Sequence, residues 1–242
     1  IDLMGLPQED MQQFLAWEHQ LLHGMSLADV TNATKEVSLY LRSAVEERRR
    51  NPTEDFISYG LDVRFEGRGF NDDEIMGYCF NLFVGGLDTV STNIGHQFRH
   101  LAERPDHQAL LRREPERIGE AIEELLRAYA PSVTPRRVVK QVEIGGVTMM
   151  PGDTVLMATF LANRDPEEFP DPDEVILDRK PRHVGFGFGP HMCIGMHLAK
   201  RELRIAIEEF LAAVPEFRIT PGAEVESWLG GMITPIALPL SW

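Results

Sequence analysis

Ten residues near the C-terminal end constrain this chain more than any others: Phe186 to Gly195, FGFGPHMCIG. They set a cysteine in a glycine-punctuated loop and run straight into an amphipathic stretch that predicts a helix from about Ile194 to Val214. The free N–H groups and positive dipole end at a helix start stabilise a thiolate. Gly187, Gly189 and Gly195 let the backbone take positive φ or lie close to a broad, flat object. Phe186 offers a ring to pack beneath such an object, and His191 a donor to an anion at its edge. A thiolate axial ligand beneath a haem needs all four features.

Taken alone, the residue types leave other readings open. A lone cysteine is most often a small buried apolar residue. Cys193 and His191 could be nucleophile and base, although two residues apart in a tight loop they are poorly placed to meet. His191, Cys193 and His197 could bind zinc, but that spacing matches no familiar zinc pattern and a fourth ligand is not evident.

Composition narrows the field. With 38 Asp plus Glu against 24 Lys plus Arg, the formal charge is −14, which repels phosphate backbones and argues against nucleic acid as a partner. Two cysteines, Cys79 and Cys193, make no disulfide framework and suit a reducing cytoplasm. No apolar run reaches membrane-spanning length, so a soluble, cytoplasmic protein without a membrane partner is expected. The 242 residues suffice for a sizeable core, and the chain opens without an initiator Met, as a piece of a longer polypeptide would.

The first half reads as helices: 8–23, then 26–50 ending in EERRR, where basic residues favour a helix C-terminus. NPTED breaks the pattern, and 61–70 reads as a short hairpin or loop. NDDEI starts a helix from about Asp72 to Leu101, interrupted at Gly85-Gly86, and helices near 105–112 and 115–130 follow. From Arg136 the texture alternates as short strands, then becomes a long Pro- and Asp-rich loop, ANRDPEEFPDPDEV. The tail reads as a terminal hairpin.

The whole loop pattern, Phe, Gly, a basic residue, Cys, then Gly, resembles the haem-binding loop of the cytochrome P450 family. Other segments agree with that resemblance. Glu124 and Arg127 in EAIEELLRAYA stand three apart on one helical face; by themselves they are a common surface pair. The resemblance makes them, with Arg179, a structural network on the haem side of the fold. In LFVGGLDTVSTN the glycines could simply end one helix, with Asp88 or Thr89 capping the next. The resemblance instead makes Gly85 and Gly86 the room for dioxygen, and Asp88 with Thr89 the acid–alcohol pair that delivers protons. It gives Arg136, with His191, to a haem propionate, and leaves His183 ambiguous between propionate and packing.

The resemblance therefore implies a mainly α fold with small β-sheets, lacking the family's N-terminal portion, and a single haem-binding domain over residues 1–242. It implies haem b ligated by Cys193, and a monooxygenase that hydroxylates a small hydrophobic substrate with O2. Electrons would come from a 2Fe-2S ferredoxin and its NAD(P)H-dependent reductase. On the helix after Cys193, Lys200, Arg201 and Arg204 read either as part of a basic docking patch or as a solvated helix face. VGGLDTV, the loop histidine and ALPLSW are especially similar to the camphor hydroxylase subfamily, which implies a terpenoid such as camphor or a related ketone. By position, Asn81, Val84, Ser132, Thr134, Met232 and Ile233 would face it. A non-catalytic haem-binding or gas-sensing protein is the alternative; it needs no proton relay.

Overall fold

Helix starts in this chain are set by side chains that satisfy the first backbone donors. In the computed structural model, which describes residues 1–24 and 26–242, α1 (Met11–His23) is followed by α2 (Leu27–Arg50), capped by Ser26, whose hydroxyl accepts from the Asp29 N–H at 3.1 Å. Asp55 caps α3 (Phe56–Asp62) by accepting from the Ser58 N–H at 2.7 Å. Asn71 and Glu74 form a reciprocal capping box at the start of α4 (Asp72–Gly85). The chain divides into two compact units, residues 1–89 and 90–242.

The first unit packs α1 to α4 around Phe14, Val37, Leu41, Ile57, Ile75 and Phe83. Each such side chain contributes about 1.5–3 kcal/mol by leaving water. Phe14 meets Tyr40 and Phe83 edge-on, at 5.2 and 5.4 Å between ring centroids. α3 is absent from the sequence expectations. Its seven residues bury only Ile57 and Gly60, too few positions for a helical period to show. Within 61–70 the expected turn is tight: Phe65 and Arg68 pair across Glu66 and Gly67, both at positive φ.

The second unit holds α5 (Thr89–Glu103, opening on the last residue of the first unit), α6 (Pro105–Arg113), a 3-10 turn at Pro115–Arg117, and α7 (Ile118–Ala128). Strand β1 (Val133–Arg137) pairs antiparallel with β4 (Thr154–Ala158), enclosing the hairpin β2 (Val142–Ile144) and β3 (Val147–Met149). A single turn, α8 (Thr159–Ala162), leads into the meander, and α9 (Met196–Ala213) follows the cysteine loop. β5 (Arg218–Ile219) pairs with the final β8 (Leu240–Ser241), and β6 (Ser227–Leu229) with β7 (Ile233–Pro235). The core joins Leu101, Leu111, Ile122, Leu125, Leu203 and Phe217. Among the described residues the fold is mainly helical with four two-stranded sheets. α9 starts two residues later than the sequence suggests, because Ile194 belongs to the loop and Gly195 caps the helix. Among the described residues no helix is long and apolar enough to cross a membrane.

Candidate functional site

The cysteine loop is held by its own backbone. The Cys193 N–H donates to the Phe186 carbonyl at 2.8 Å, and the N–H groups of Gly187 and Met192 close turns onto Val184 and Gly189. Gly187 has φ +73°, and a Cβ there would sit 3.4 Å from the His191 carbonyl oxygen. A side chain at this position would be strained and crowded at once. Cys193 is exposed, three residues before the first turn of α9. Around it stand exposed apolar side chains: Phe188, 80% exposed, Ile194, 69% exposed, Met192 and Leu198. Such a cluster marks a surface that something apolar covers. Cys79 is the opposite case, fully buried in α4, with burial pushing its thiol up to about 11; it is the inert, space-filling cysteine.

A soft sulfur donor presented from an apolar surface at a helix start fits a flat, largely apolar iron macrocycle. Gly195 leaves room beside the sulfur, since a Cβ there would lie 3.9 Å from Cys193 Sγ. Among the described residues, the group of three potential metal ligands that converges is Glu18, His23 and Asp88, so His191, Cys193 and His197 do not assemble a zinc site. His191 and Arg136 are exposed, and Arg136 donates to the Pro135 carbonyl at 2.9 Å. Phe186 is half-buried, 5.6 Å from the Lys200 ammonium, with its body against the second unit's core.

Beneath the loop lies a buried ion network. Glu124 and Arg127, both completely buried on α7, pair at 2.8 Å through both carboxylate oxygens. All five Arg127 N–H donors are used: two on Glu124 and one each on the carbonyls of Asn163, Pro172 and Glu174. Glu124 also accepts from the Ile176 N–H at 2.9 Å and Arg179 Nε at 3.0 Å. Burial opposes the Glu124 charge; bonds from Arg127, Ile176 and Arg179 outweigh it and hold the carboxyl below its usual range. Asn163 extends the network, its side-chain carbonyl accepting from Val184 N–H just before the cysteine loop. The network thus pins the meander and the loop's entry to one helix.

His183 is tied to packing in this arrangement. Gly185 N–H donates to its Nδ1 at 3.1 Å, so its Nε2–H donates to Glu123, 3.2 Å away. Lys200 reaches the same carboxylate at 2.7 Å, and Arg204 pairs with Glu208 at 2.6 Å. Two of the three basic residues expected on this helix therefore have their charge answered locally.

In the first unit, α4 ends at Gly85, closed by Gly86 N–H on the Leu82 carbonyl. The Thr89 hydroxyl donates back to the Gly85 carbonyl at 2.7 Å, bridging the break between helices. Asn81, Val84 and Gly85 line an open cavity of about 510 Å³ with Thr34, Met76 and Phe80. In the second unit Ser132 bridges to Met232, and the Ile233 N–H donates to the Pro131 carbonyl, so Ser132, Met232 and Ile233 stand side by side. Thr134 is exposed on β1.

Two groups escaped the sequence. Glu18 and His23, on the last turns of α1, converge on Asp88: His23 Nε2 is 3.2 Å from its carboxylate. Burial, then the Asp88 charge, push the Glu18 carboxyl up to about 7 against the pull of His23. In the second unit Arg104 Nη2 donates to His107 Nε2 at 3.0 Å. His107 Nδ1–H then donates to His100 Nε2, and His100 Nδ1–H to the Tyr129 hydroxyl, at 2.9 and 2.8 Å. Neither cluster has a spacing that a motif would reveal.

Comparison with known proteins agrees with this geometry. The profile described as Cytochrome P450 matches residues 6–229. A probable cytochrome P450 127A1 of Sinorhizobium fredii is 40% identical over 92% of this chain and 54% of its own length. The mycinamicin IV hydroxylase/epoxidase of Micromonospora griseorubida is 34% identical over 100% of the chain and 63% of its own. The crystal structure of CYP101J2 superposes with a TM-score of 0.89 at 33% identity, covering 100% of this chain and 60% of that one. The chain thus spans between about half and two thirds of the relatives it matches. It belongs to the cytochrome P450 family, whose cofactor is haem b.

Proposed function

We propose that this chain carries the haem-thiolate centre of a monooxygenase that inserts one oxygen atom of O2 into a C–H bond of a small hydrophobic molecule and releases the other as water. The observation that carries the proposal is the exposed Cys193, presented from a glycine-bent loop at the start of α9 amid exposed apolar side chains. Haem, when bound, supplies the activation of dioxygen. Cys193 would hold its iron through the thiolate sulfur. Gly187 and Gly195 keep the loop's face flat, and Phe186 supports it. Arg136 and His191 take the propionates by charge-assisted hydrogen bonds. The Glu124–Arg127–Arg179 network keeps the loop in place.

Asp88 holds and passes protons, and the Thr89 hydroxyl orients them. Its bond to Gly85 keeps that hydroxyl at the helix break, where the glycines leave space. Asn81 and Val84 form an apolar wall with one polar group, suited to a compact ketone such as a terpenoid of the camphor type; the cavity has the size of a small-ligand site. Ser132, Thr134, Met232 and Ile233 supply further wall. Electrons come from a 2Fe-2S ferredoxin and its NAD(P)H-dependent reductase, in the cytoplasm. The hydroxylase/epoxidase activity named for the mycinamicin relative supports the reaction class.

The test is the absorption spectrum of the reduced protein under carbon monoxide. A red-shifted Soret band that Cys193→Ser abolishes is the expected result. A band typical of histidine-ligated haem in the unsubstituted protein would overturn the thiolate assignment.

A further inference from the structure

Glu18, on α1, is 7% exposed, and its Oε1 has no hydrogen-bond partner. Its carboxyl is aimed at two other groups of the first unit. A Glu18 carboxylate oxygen, a ring nitrogen of His23 and an Asp88 carboxylate oxygen all lie within 4.8 Å of one another. An ion pair accounts for His23 and Asp88, whose Nε2 and Oδ2 are 3.2 Å apart. It does not account for Glu18. As a carboxylate, Glu18 adds a second buried negative charge beside Asp88, and one imidazolium balances only one of the two. As a neutral acid it still brings an O–H and a carbonyl oxygen that a buried site must satisfy. A dication balances both carboxylates at once and takes up the unpartnered oxygen.

We propose that Glu18, His23 and Asp88 form a binding site for a divalent transition-metal ion of the Zn²⁺ type. The donor set is one imidazole nitrogen and two carboxylates. That mixture suits Zn²⁺ better than Ca²⁺ or Mg²⁺, which take oxygen ligands and more of them. The spacing suits it too. With Zn–N and Zn–O lengths of about 2.0–2.2 Å, two ligands of a tetrahedral ion stand apart by about 3.3 Å or slightly more. His23 Nε2 and Asp88 Oδ2, at 3.2 Å, are close to that edge, whereas a charge-assisted N–H···O bond is usually about 2.7–2.9 Å. Glu18 and His23 stand on one helix, which fixes their relation, and Asp88 comes from the break between α4 and α5. Three protein ligands leave a fourth position for water, and the 15% exposure of the His23 and Asp88 side chains gives the ion a way in. An ion held there occupies the Asp88 carboxylate. It therefore acts as a brake, because the carboxylate no longer takes up and releases protons; this consequence, unlike the binding itself, rests on the reading of Asp88 and Thr89 as the proton-delivering pair.

The test uses the haem-loaded full-length protein, washed free of exchangeable metal with EDTA and titrated with Zn²⁺ by calorimetry. One equivalent is expected to bind. Glu18→Gln and His23→Gln are each expected to weaken binding by at least about tenfold, the loss that follows even from removing an outer-shell partner. His19 is exposed, its ring centroid 5.4 Å from that of His23, and His19→Gln is expected to leave the affinity unchanged. The thiolate band under carbon monoxide shows that each variant has folded. Anomalous scattering at the zinc edge, from zinc-soaked crystals of the unsubstituted protein, needs no variant and is expected to place the ion between the three residues. Absence of binding, an affinity indifferent to Glu18→Gln, or an anomalous peak only elsewhere would overturn the proposal. In turnover, Zn²⁺ is expected to lower product per electron, and Glu18→Gln to raise the concentration needed by the same factor as its loss of affinity. The two readings fail separately: zinc seated on the three residues with product per electron unchanged sinks the role of Asp88 in proton delivery and upholds the site, whereas no zinc at the three residues sinks the site alone.

Discussion

Replacing Arg127 by lysine keeps the charge and removes the fork, so it isolates hydrogen-bond geometry from electrostatics. Arg127 spends five N–H donors on five partners inside a fully buried site. Lysine has three donors, and its shorter reach and single nitrogen cannot span Glu124 and three carbonyls of the meander. At least two buried acceptors are left unanswered, each worth about 1–3 kcal/mol. The expected loss is about 2–6 kcal/mol, a large fraction of a typical stability of about 5–15 kcal/mol. Urea unfolding of the haem-loaded protein measures it as a fall in midpoint with little change in slope. Limited proteolysis should begin in residues 163–176, because those carbonyls lose their anchor first. A change under about 1 kcal/mol would refute the reasoning, since it would mean that water or relaxation replaces the fork at no penalty. Glu124→Gln provides the complementary case: it leaves two guanidinium groups facing an uncharged partner and should cost about 3–5 kcal/mol.

Further outcomes follow from other groups. Burial, with His107 and Arg104 beside it, pushes His100 down to about 4, so the unfolded chain binds its proton first as pH falls. Stability that is complete above about pH 6.5 should therefore drain away toward pH 4, by on the order of 3 kcal/mol in total; His100→Gln should flatten that stretch of a Tm-against-pH curve, and an unchanged slope would contradict the assignment. Gly187→Ala, at φ +73° with the His191 carbonyl 3.4 Å away, should destabilise by about 1–2 kcal/mol and weaken haem retention on a desalting column. Thr89→Ala should consume electrons at a near-normal rate while forming less product; unchanged product per electron would count against the hydroxyl's part in proton delivery.

Much of this protein is legible along the chain because its signals are local. The acidic NDDEI start of α4 and the basic last turn of α2 act within a few residues, and both helices appear where the sequence places them. The loop from Phe186 to Gly195 is legible for the same reason: ten consecutive residues carry the glycines, the ring and the thiol. Glu124 and Arg127 are visible as a pair three apart, but a surface pair and a buried network have the same spacing. Only the fold shows that Arg127 has all five donors engaged across the meander. α3 is hidden because seven residues with two buried positions make no period. Glu18, His23 and Asp88 were beyond the reach of any motif: 65 residues separate the histidine from the aspartate it touches. The same holds for the chain of Arg104, His107, His100 and Tyr129, whose proton order depends on who can only donate. The sequence by itself determined where most of the long helices run, where the thiol stands and which residue is the candidate to ligate iron, because those depend on neighbours along the chain. Tertiary structure decided which charges are buried, which carboxyl is pushed up by burial and which pairs meet, because desolvation and Coulomb energy depend on distances through space that no one-dimensional spacing encodes.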